Sequence, residues 1–427
     1  MSGGVERPAK FARGRSALSD RAFLIYSFGN GCSSLGLWVQ RLALGWLAWQ
    51  LSHSELWVGA VAFALFGPIL FLSPFFGVLV DRLEPLRTAA FINVLMGAWA
   101  ALLAILSLTG LLDIWLLFAV SLCIGTTSAA YAPIRLSIIP SIVPRELLAN
   151  AIGISSMIFN ASRLIGPAVG GAVLVALPIA AAFLINAVSY LPLVYALAHV
   201  PRRPIPPRAH QPFFAQLREG FAHAGANRYI RLQLILTAWG ALFGRSILEV
   251  LPVYADRFYL AGASGLAALS AAAGGGALLA AYLTSRLVLD SRQLQLGSIL
   301  LGVVNALALL ALPLWPGLWL GLLCIGVVGF GSTGSAVLSQ TLVQTEVADS
   351  VRGRVSSLWG MASLGGSAFG GLVLGGMLYL LGISAATLAT ALAALLLPIA
   401  AWRTAWRAPH EAPVEVAEPV EDPSEPV

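Results

Sequence analysis

The 427-residue sequence is poor in charge, with Asp, Glu, Lys and Arg making up only 10% of it. Soluble domains carry roughly 25%, so this chain lacks the polar side chains needed to face water on all sides. Lysine is almost missing. The one example, Lys10, sits in a polar N-terminal stretch, so no GxxxxGK[ST] phosphate loop exists. Cysteines are few, and Cys32, Cys123 and Cys324 all lie inside apolar stretches, which argues against a disulfide framework. None of the five histidines falls in the middle of an apolar stretch, where a bis-histidine haem or a buried zinc would need imidazoles. A GxSxG nucleophile elbow is absent as well. These gaps exclude a soluble enzyme, a nucleic-acid binder and a disordered regulator. They leave no expectation of catalysis, cofactor or metal.

What the sequence has in abundance is hydrophobicity, at 58% of residues. Charge-poor apolar runs recur along the chain, each long enough to cross a hydrocarbon layer of about 30 Å. We read twelve spans: 22–50, 56–80, 88–110, 114–138, 148–175, 178–199, 230–255, 263–288, 294–313, 316–341, 355–381 and 383–402. The fold expected is an all-α polytopic membrane protein. Basic residues precede the first span but no small-residue cleavage site follows it, so it reads as an anchor.

The 25 Lys and Arg residues test this topology. With both termini in the cytoplasm, twenty fall on the cytoplasmic side, four lie within spans, and only Arg257 is outside. That asymmetry is what the positive-inside rule requires, and an odd number of spans scrambles it. The net charge of +6 is then an orientation signal and needs no nucleic-acid partner.

The expected organisation is a cytoplasmic tail (1–21), a six-helix bundle (22–199), a linker (200–229), a second six-helix bundle (230–402) and an acidic disordered tail (403–427). The linker opens with ProArgArgProIleProPro (201–207), which cannot be helical. It continues with Phe213, Phe214, Leu217 and Phe221 at helical spacing, as in an amphipathic helix lying on a membrane surface. The two bundles resemble each other. A shift of 201 positions lays LeuCysIleGly (122–125) on LeuCysIleGly (323–326), and Ser155, Ser156, Ser162 and Gly170 on Ser356, Ser357, Ser363 and Gly371. Parallel six-helix repeats around a central cavity are a common transporter architecture. Without a phosphate loop, energy for transport must come from an ion gradient or from a separate ATPase chain.

Two motifs carry a resemblance to a known family. Gly77-Val-Leu-Val-Asp81-Arg82-Leu83-Glu84-Pro85-Leu86-Arg87 resembles the GxxxDRxGRR loop of the major facilitator superfamily, with Glu84 where glycine is usual and Leu86 where a base is common. Gly153, Ser162, Gly166-Pro167 and Gly170-Gly171 resemble the antiporter signature G-x8-G-x3-GP-x2-GG, Ser162 replacing one glycine. LeuTrpValGlnArg (37–41), TyrAlaProIleArg (131–135), AsnAlaSerArg (160–163) and AsnAlaValSerTyrLeu (186–191) are similar to the bacterial exporter group of enterobactin exporters, macrolide efflux proteins and proton-coupled multidrug pumps. The resemblance extends over about 20–400. It implies a bacterial inner-membrane antiporter working as a monomer, a cytoplasmic gate at Gly77, Asp81, Arg82 and Arg87, and a cavity lined by spans one, four, seven and ten.

Charged residues within spans are the best pointers to function, because each costs at least ~2.5 kcal/mol on insertion scales. They are Arg41, Arg135, Arg163, Arg245 and one acid, Glu249. Aligning Gly36 with Gly244 puts Glu249 at the repeat position of Arg41. Glu249 is also four residues from Arg245, a spacing that permits an ion pair on a helix. It is the candidate proton carrier, the alternative being a permanent structural ion pair. For Arg135 a structural role outweighs substrate binding. Trp38, Trp46, Tyr131, Trp239 and Tyr254 are candidate aromatic walls, with lipid-facing belts as the alternative. The glycine–proline cluster in span five serves either as a bend that seals the cavity or as ordinary close packing.

Four arginines against one glutamate favour an anionic or neutral bulky solute over a lipophilic cation. The function expected is proton-coupled efflux of a bulky amphipathic small molecule, such as a siderophore, macrolide or drug-like compound. An uptake carrier or lipid translocator on the same fold is the alternative. A non-transporting membrane receptor is the third, and it gives no reason for the antiporter spacing.

Overall fold

The computed structural model describes residues 16–80, 83–201, 213–347 and 351–407, and among these there is no strand. Asp81, Arg82 and most of the 201–212 segment lie outside them, as does the acidic tail after Arg407.

The first half holds six long helices: α1 (Arg21–Ser52), α2 (Glu55–Val80), α3 (Pro85–Leu108), α4 (Ile114–Ile142), α5 (Leu148–Ala176) and α6 (Ile179–His199). Polar residues set their limits. The Asp20 carboxylate accepts from the Ala22 and Phe23 N–H groups, and Asp113 accepts from Leu116 N–H at 2.7 Å. Glu84, the departure in the loop motif, caps α3 by accepting from Arg87 N–H at 3.0 Å, with Pro85 at the first helical position.

The linker helix α7 (Phe213–Ala226) forms as expected, and Asn227 caps α8 (Arg228–Trp239). The seventh span is not the continuous helix expected over 230–255. After α8 come a wide π turn at Gly240–Gly244, a tight 3-10 turn at Ser246–Glu249, one α turn at α9 (Leu251–Val253) and a second π turn at Tyr254–Phe258. Two residues explain the break. Pro252 has no N–H to donate. Gly244 lies so close to α11 that a Cβ there sits 2.7 Å from Asn305 Nδ2. Four regular helices follow the break, α10 (Gly262–Ser285), α11 (Ser291–Ala311), α12 (Leu318–Glu346) and α13 (Arg352–Leu381), and then α14 (Ile383–Arg407).

Ten of these helical segments are long and apolar enough to cross a membrane. The two other expected spans are α1, made polar by Asn30, Gln40 and Arg41, and the broken seventh segment.

Neighbour relations follow one pattern in both halves. In the first, α2 packs on α4, α3 on α4 and α6, and α1 on α5 and α6. In the second, α10 packs on α12, α11 on α12 and α14, and the broken segment on α13 and α14. The halves meet where α2 runs along α13 and α5 along α10.

The apolar core shows how they meet. One cluster is shared, with Trp46, Trp49 and Val58 from the first half joining Leu251, Tyr254 and Leu266 from the second. At the opposite end each half keeps its own core. Phe23, Tyr26, Ile138 and Leu197 form one, and Ile230, Val343, Val355 and Leu358 form another. The molecule is therefore fused at the end bearing His53 and Leu260 and divided at the end where α1 begins.

Candidate functional site

A cavity lies between the halves, enclosing about 980 Å³ of empty space counting its open mouth. Four of the five charged residues expected within spans line it: Arg41 from α1, Arg163 from α5, and Arg245 and Glu249 from the broken segment. Its apolar walls include Leu42, Val58, Leu65, Leu164 and Leu248, and Ser270, Ser332 and Thr333 add hydroxyls.

The Glu249 side chain is buried, with 5% of its surface exposed. Its partner is Arg41 of the other half, whose Nη2 donates to both carboxylate oxygens. Sequence spacing pointed to Arg245, but the four-residue rule holds only on an α-helix, and Ser246–Glu249 is a 3-10 turn. Arg41 is held further by two aromatic rings, its guanidinium carbon lying 4.7 Å from the Trp38 ring centroid and 4.2 Å from that of Phe66. Such cation–π contacts strengthen when desolvated. Arg163 and Arg245 make no ion pair or hydrogen bond with any described residue.

Other expected residues lie elsewhere. Trp38 lines the cavity, but Arg135, Tyr131 and Trp239 are not among its walls. Arg135 is exposed over the Phe159 ring at 5.0 Å, towards the divided end. Tyr131 packs beside the first half's own core. Trp239 donates from Nε1 to the Ala393 carbonyl at 2.8 Å, tying the seventh segment to α14. Trp46 and Tyr254 belong to the shared core.

The glycines of the span-five motif bring helices together. A Cβ on Gly166 collides with Trp38, and one on Gly170 sits 3.2 Å from Val39 Cα, so both allow α5 to touch α1. A Cβ on Gly171 sits 2.5 Å from Ala267 Cα, so that glycine allows α5 to touch α10 in the other half. Ser162 is buried, Pro167 lines the cavity, and Gly153 has nothing within 4 Å. The second contact between halves uses the same device. A Cβ on Gly59 collides with the Gly371 carbonyl, and one on Gly375 lies 2.5 Å from the Glu55 carbonyl. In the loop motif, Gly77 lies in the last turn of α2. Arg87 is exposed, its Nε 3.7 Å from Glu84 Oε2, and Asp81 and Arg82 lie outside the described residues.

Sequence reasoning missed the polar contacts at the fused end. Trp49 Nε1 donates to Asp256 Oδ2 at 2.7 Å, and Arg257 pairs with the buried Glu55. Each crosses between the halves. The signal was available in part, since Arg257 was the one basic residue on the wrong side for topology. The motif segments 37–41 and 186–191 also meet, through Asn186 Nδ2 donating to Gln40 Oε1 at 2.8 Å in the first-half core.

A charged cavity between two helical halves of matching contact pattern defines a membrane transporter of the major facilitator superfamily, and comparison with known proteins agrees. The chain belongs to the family described as "Transmembrane secretion effector", whose profile matches residues 13–424. It is 27% identical over 359 residues to the uncharacterized MFS-type transporter YfiS of Bacillus subtilis (strain 168), covering 80% of this chain and 84% of that one. It is 28% identical over 336 residues to the enterobactin exporter EntS of Shigella boydii serotype 4 (strain Sb227), covering 77% and 78%. Two solved folds are similar. A bacterial homologue of the human lysosomal transporter Spinster, inward-facing and unoccupied, aligns with a TM-score of 0.68 at 17% identity, covering 92% and 98%. The nucleoside transporter NupG aligns with a TM-score of 0.65 at 15% identity, covering 91% and 100%. These relatives are transporters and not enzymes.

Proposed function

We propose that this chain exports a bulky amphipathic small molecule across a bacterial inner membrane by alternating access, driven by protons exchanged at Glu249. The observation that carries the reading is the Arg41–Glu249 pair, which joins the two halves at the wall of the central cavity. A titratable group in that position is reachable from either side in turn if the halves rock about the cavity.

In this reading α1 and the broken segment are spans, giving twelve in two six-helix repeats with both termini in the cytoplasm. The matched contacts of the halves support the repeat. Gly125 and its counterpart Gly326 also face equivalent helices, an added Cβ colliding with the Ala64 carbonyl of α2 at the first and meeting the Ala272 carbonyl of α10 at 3.5 Å at the second. The divided end is then cytoplasmic. Asp81, Arg82 and Arg87 close that end in the opposite state, and the transporter works as a monomer.

The direction of transport rests on the exporter relatives, because the charges by themselves permit the reverse. An anion that takes Arg41 away from Glu249 leaves the carboxylate free to accept a proton, and binding of both together is the logic of symport. Inverted vesicles separate the two. Export predicts uptake of substrate into vesicles acidified inside, and Glu249→Gln is expected to bind substrate yet lose its response to an imposed pH gradient. Gradient-driven transport persisting in Glu249→Gln would place the proton site elsewhere.

A further inference from the structure

The cavity carries more positive charge than its ion pair consumes. Arg41 is committed, with Glu249 on its nitrogen and the Trp38 and Phe66 rings against its guanidinium. Arg163 and Arg245 line the same space without a salt bridge of their own among the described residues, and the one carboxylate that acts on them, Glu249, is already held by Arg41. Two like charges facing one low-dielectric cavity repel each other, and an anion placed there relieves the repulsion. Most of the remaining wall is aliphatic, with Leu42, Val61, Leu65 and Leu248, and Ser332 and Thr333 add hydroxyls but no charge.

We propose that the cavity binds amphipathic organic anions carrying two acidic groups on an apolar body. One acidic group pairs with each of Arg163 and Arg245. This rests on the transporter reading for the cavity's purpose and adds the chemistry of its cargo. Planar guanidinium groups suit carboxylates, which they can hold through two parallel hydrogen bonds. A lipophilic amine meets two unpaired positive charges in the same space and is excluded by them.

The test uses the full chain in lipid nanodiscs and three probes sharing one fluorophore: dansyl-glutamate with two carboxylates, neutral dansylamide, and cationic dansylcadaverine. Binding is read from energy transfer out of the protein's tryptophans. Dansyl-glutamate is expected to bind about tenfold or more tighter than either other probe, the effect of one retained charge-assisted hydrogen bond. Arg163→Gln and Arg245→Gln are each expected to weaken it by about tenfold while leaving dansylamide unaffected. Equal affinities for all three probes, or tightest binding of the cation, overturn the proposal in the unaltered protein, whether or not the variants fold. Proteoliposomes separate it from the reading it rests on. Anion-selective binding without movement of the probe defeats transport and leaves the site standing. Movement of dansylcadaverine without anion binding defeats the site and leaves transport standing.

Discussion

Arg41 and Glu249 are neither useful nor stable apart. Removing one partner of a buried pair strands a charge in an apolar setting, at a cost of about 3–5 kcal/mol, whereas replacing both by apolar side chains is often neutral. Arg41→Ala is therefore expected to lower the melting temperature of the purified protein, and Arg41→Met combined with Glu249→Met to recover it. The double variant is expected to fold and to transport nothing against a gradient. A double variant as unstable as the single one would mean that the aromatic clamp from Trp38 and Phe66, and not the carboxylate, holds α1 in place.

Among the helices, glycine decides how the halves touch. Gly171 and Gly153 belong to one motif but stand in opposite settings, the first against the α10 backbone and the second facing open space. Gly171→Ala forces a methyl into backbone and is expected to cost about 1–3 kcal/mol through overpacking. Gly153→Ala adds a helix-favouring methyl where nothing resists it, and is expected to gain up to about 1 kcal/mol. Thermal melts of the two variants in detergent check this contrast, and similar losses in both would remove close packing as the reason for the motif. The same packing accounts for the glycines of α13 that meet α2, so the motif spacing marks one of two matched contacts.

For the molecule as a whole, the alternating-access reading makes the fused end the gate that opens in the other state. Its polar links are Arg257 with Glu55 and Trp49 with Asp256. Arg257→Gln breaks one of them and is expected to shift the population towards opening at that end, read as faster labelling of a cysteine placed at Gly45 by an impermeant thiol reagent added outside. An unchanged rate would make that pair a surface contact only. Cysteines at His53 and Leu260 are expected to label from outside in intact cells, and cysteines at Ser2 and Ser424 only after permeabilisation. Labelling of positions 53 and 424 from one side would end the twelve-span topology. In the proposed cytoplasmic gate, Asp81→Asn is expected to slow turnover while leaving folding and substrate binding intact, since a contact needed in one state only is lost.

Membrane class and the identity of the cavity charges were legible in the sequence. Both follow from local physics: the length of an apolar run and the cost of a charge in hydrocarbon. Arg41, Arg163, Arg245 and Glu249 stood out for the last reason, and the structure gathers them in one cavity. Pairing was not legible, because it depends on backbone geometry and on distance across the fold. The i,i+4 rule offered Arg245 to Glu249, but the broken helix turns the carboxylate to Arg41, 208 positions away. Aromatic residues carry no comparable cost that would tell a cavity wall from a core. Trp38 therefore lines the site, while Trp239 anchors α14 and Trp46 fills the shared core. The glycines likewise declared that something passes close by, and only the tertiary structure decided which helix it is.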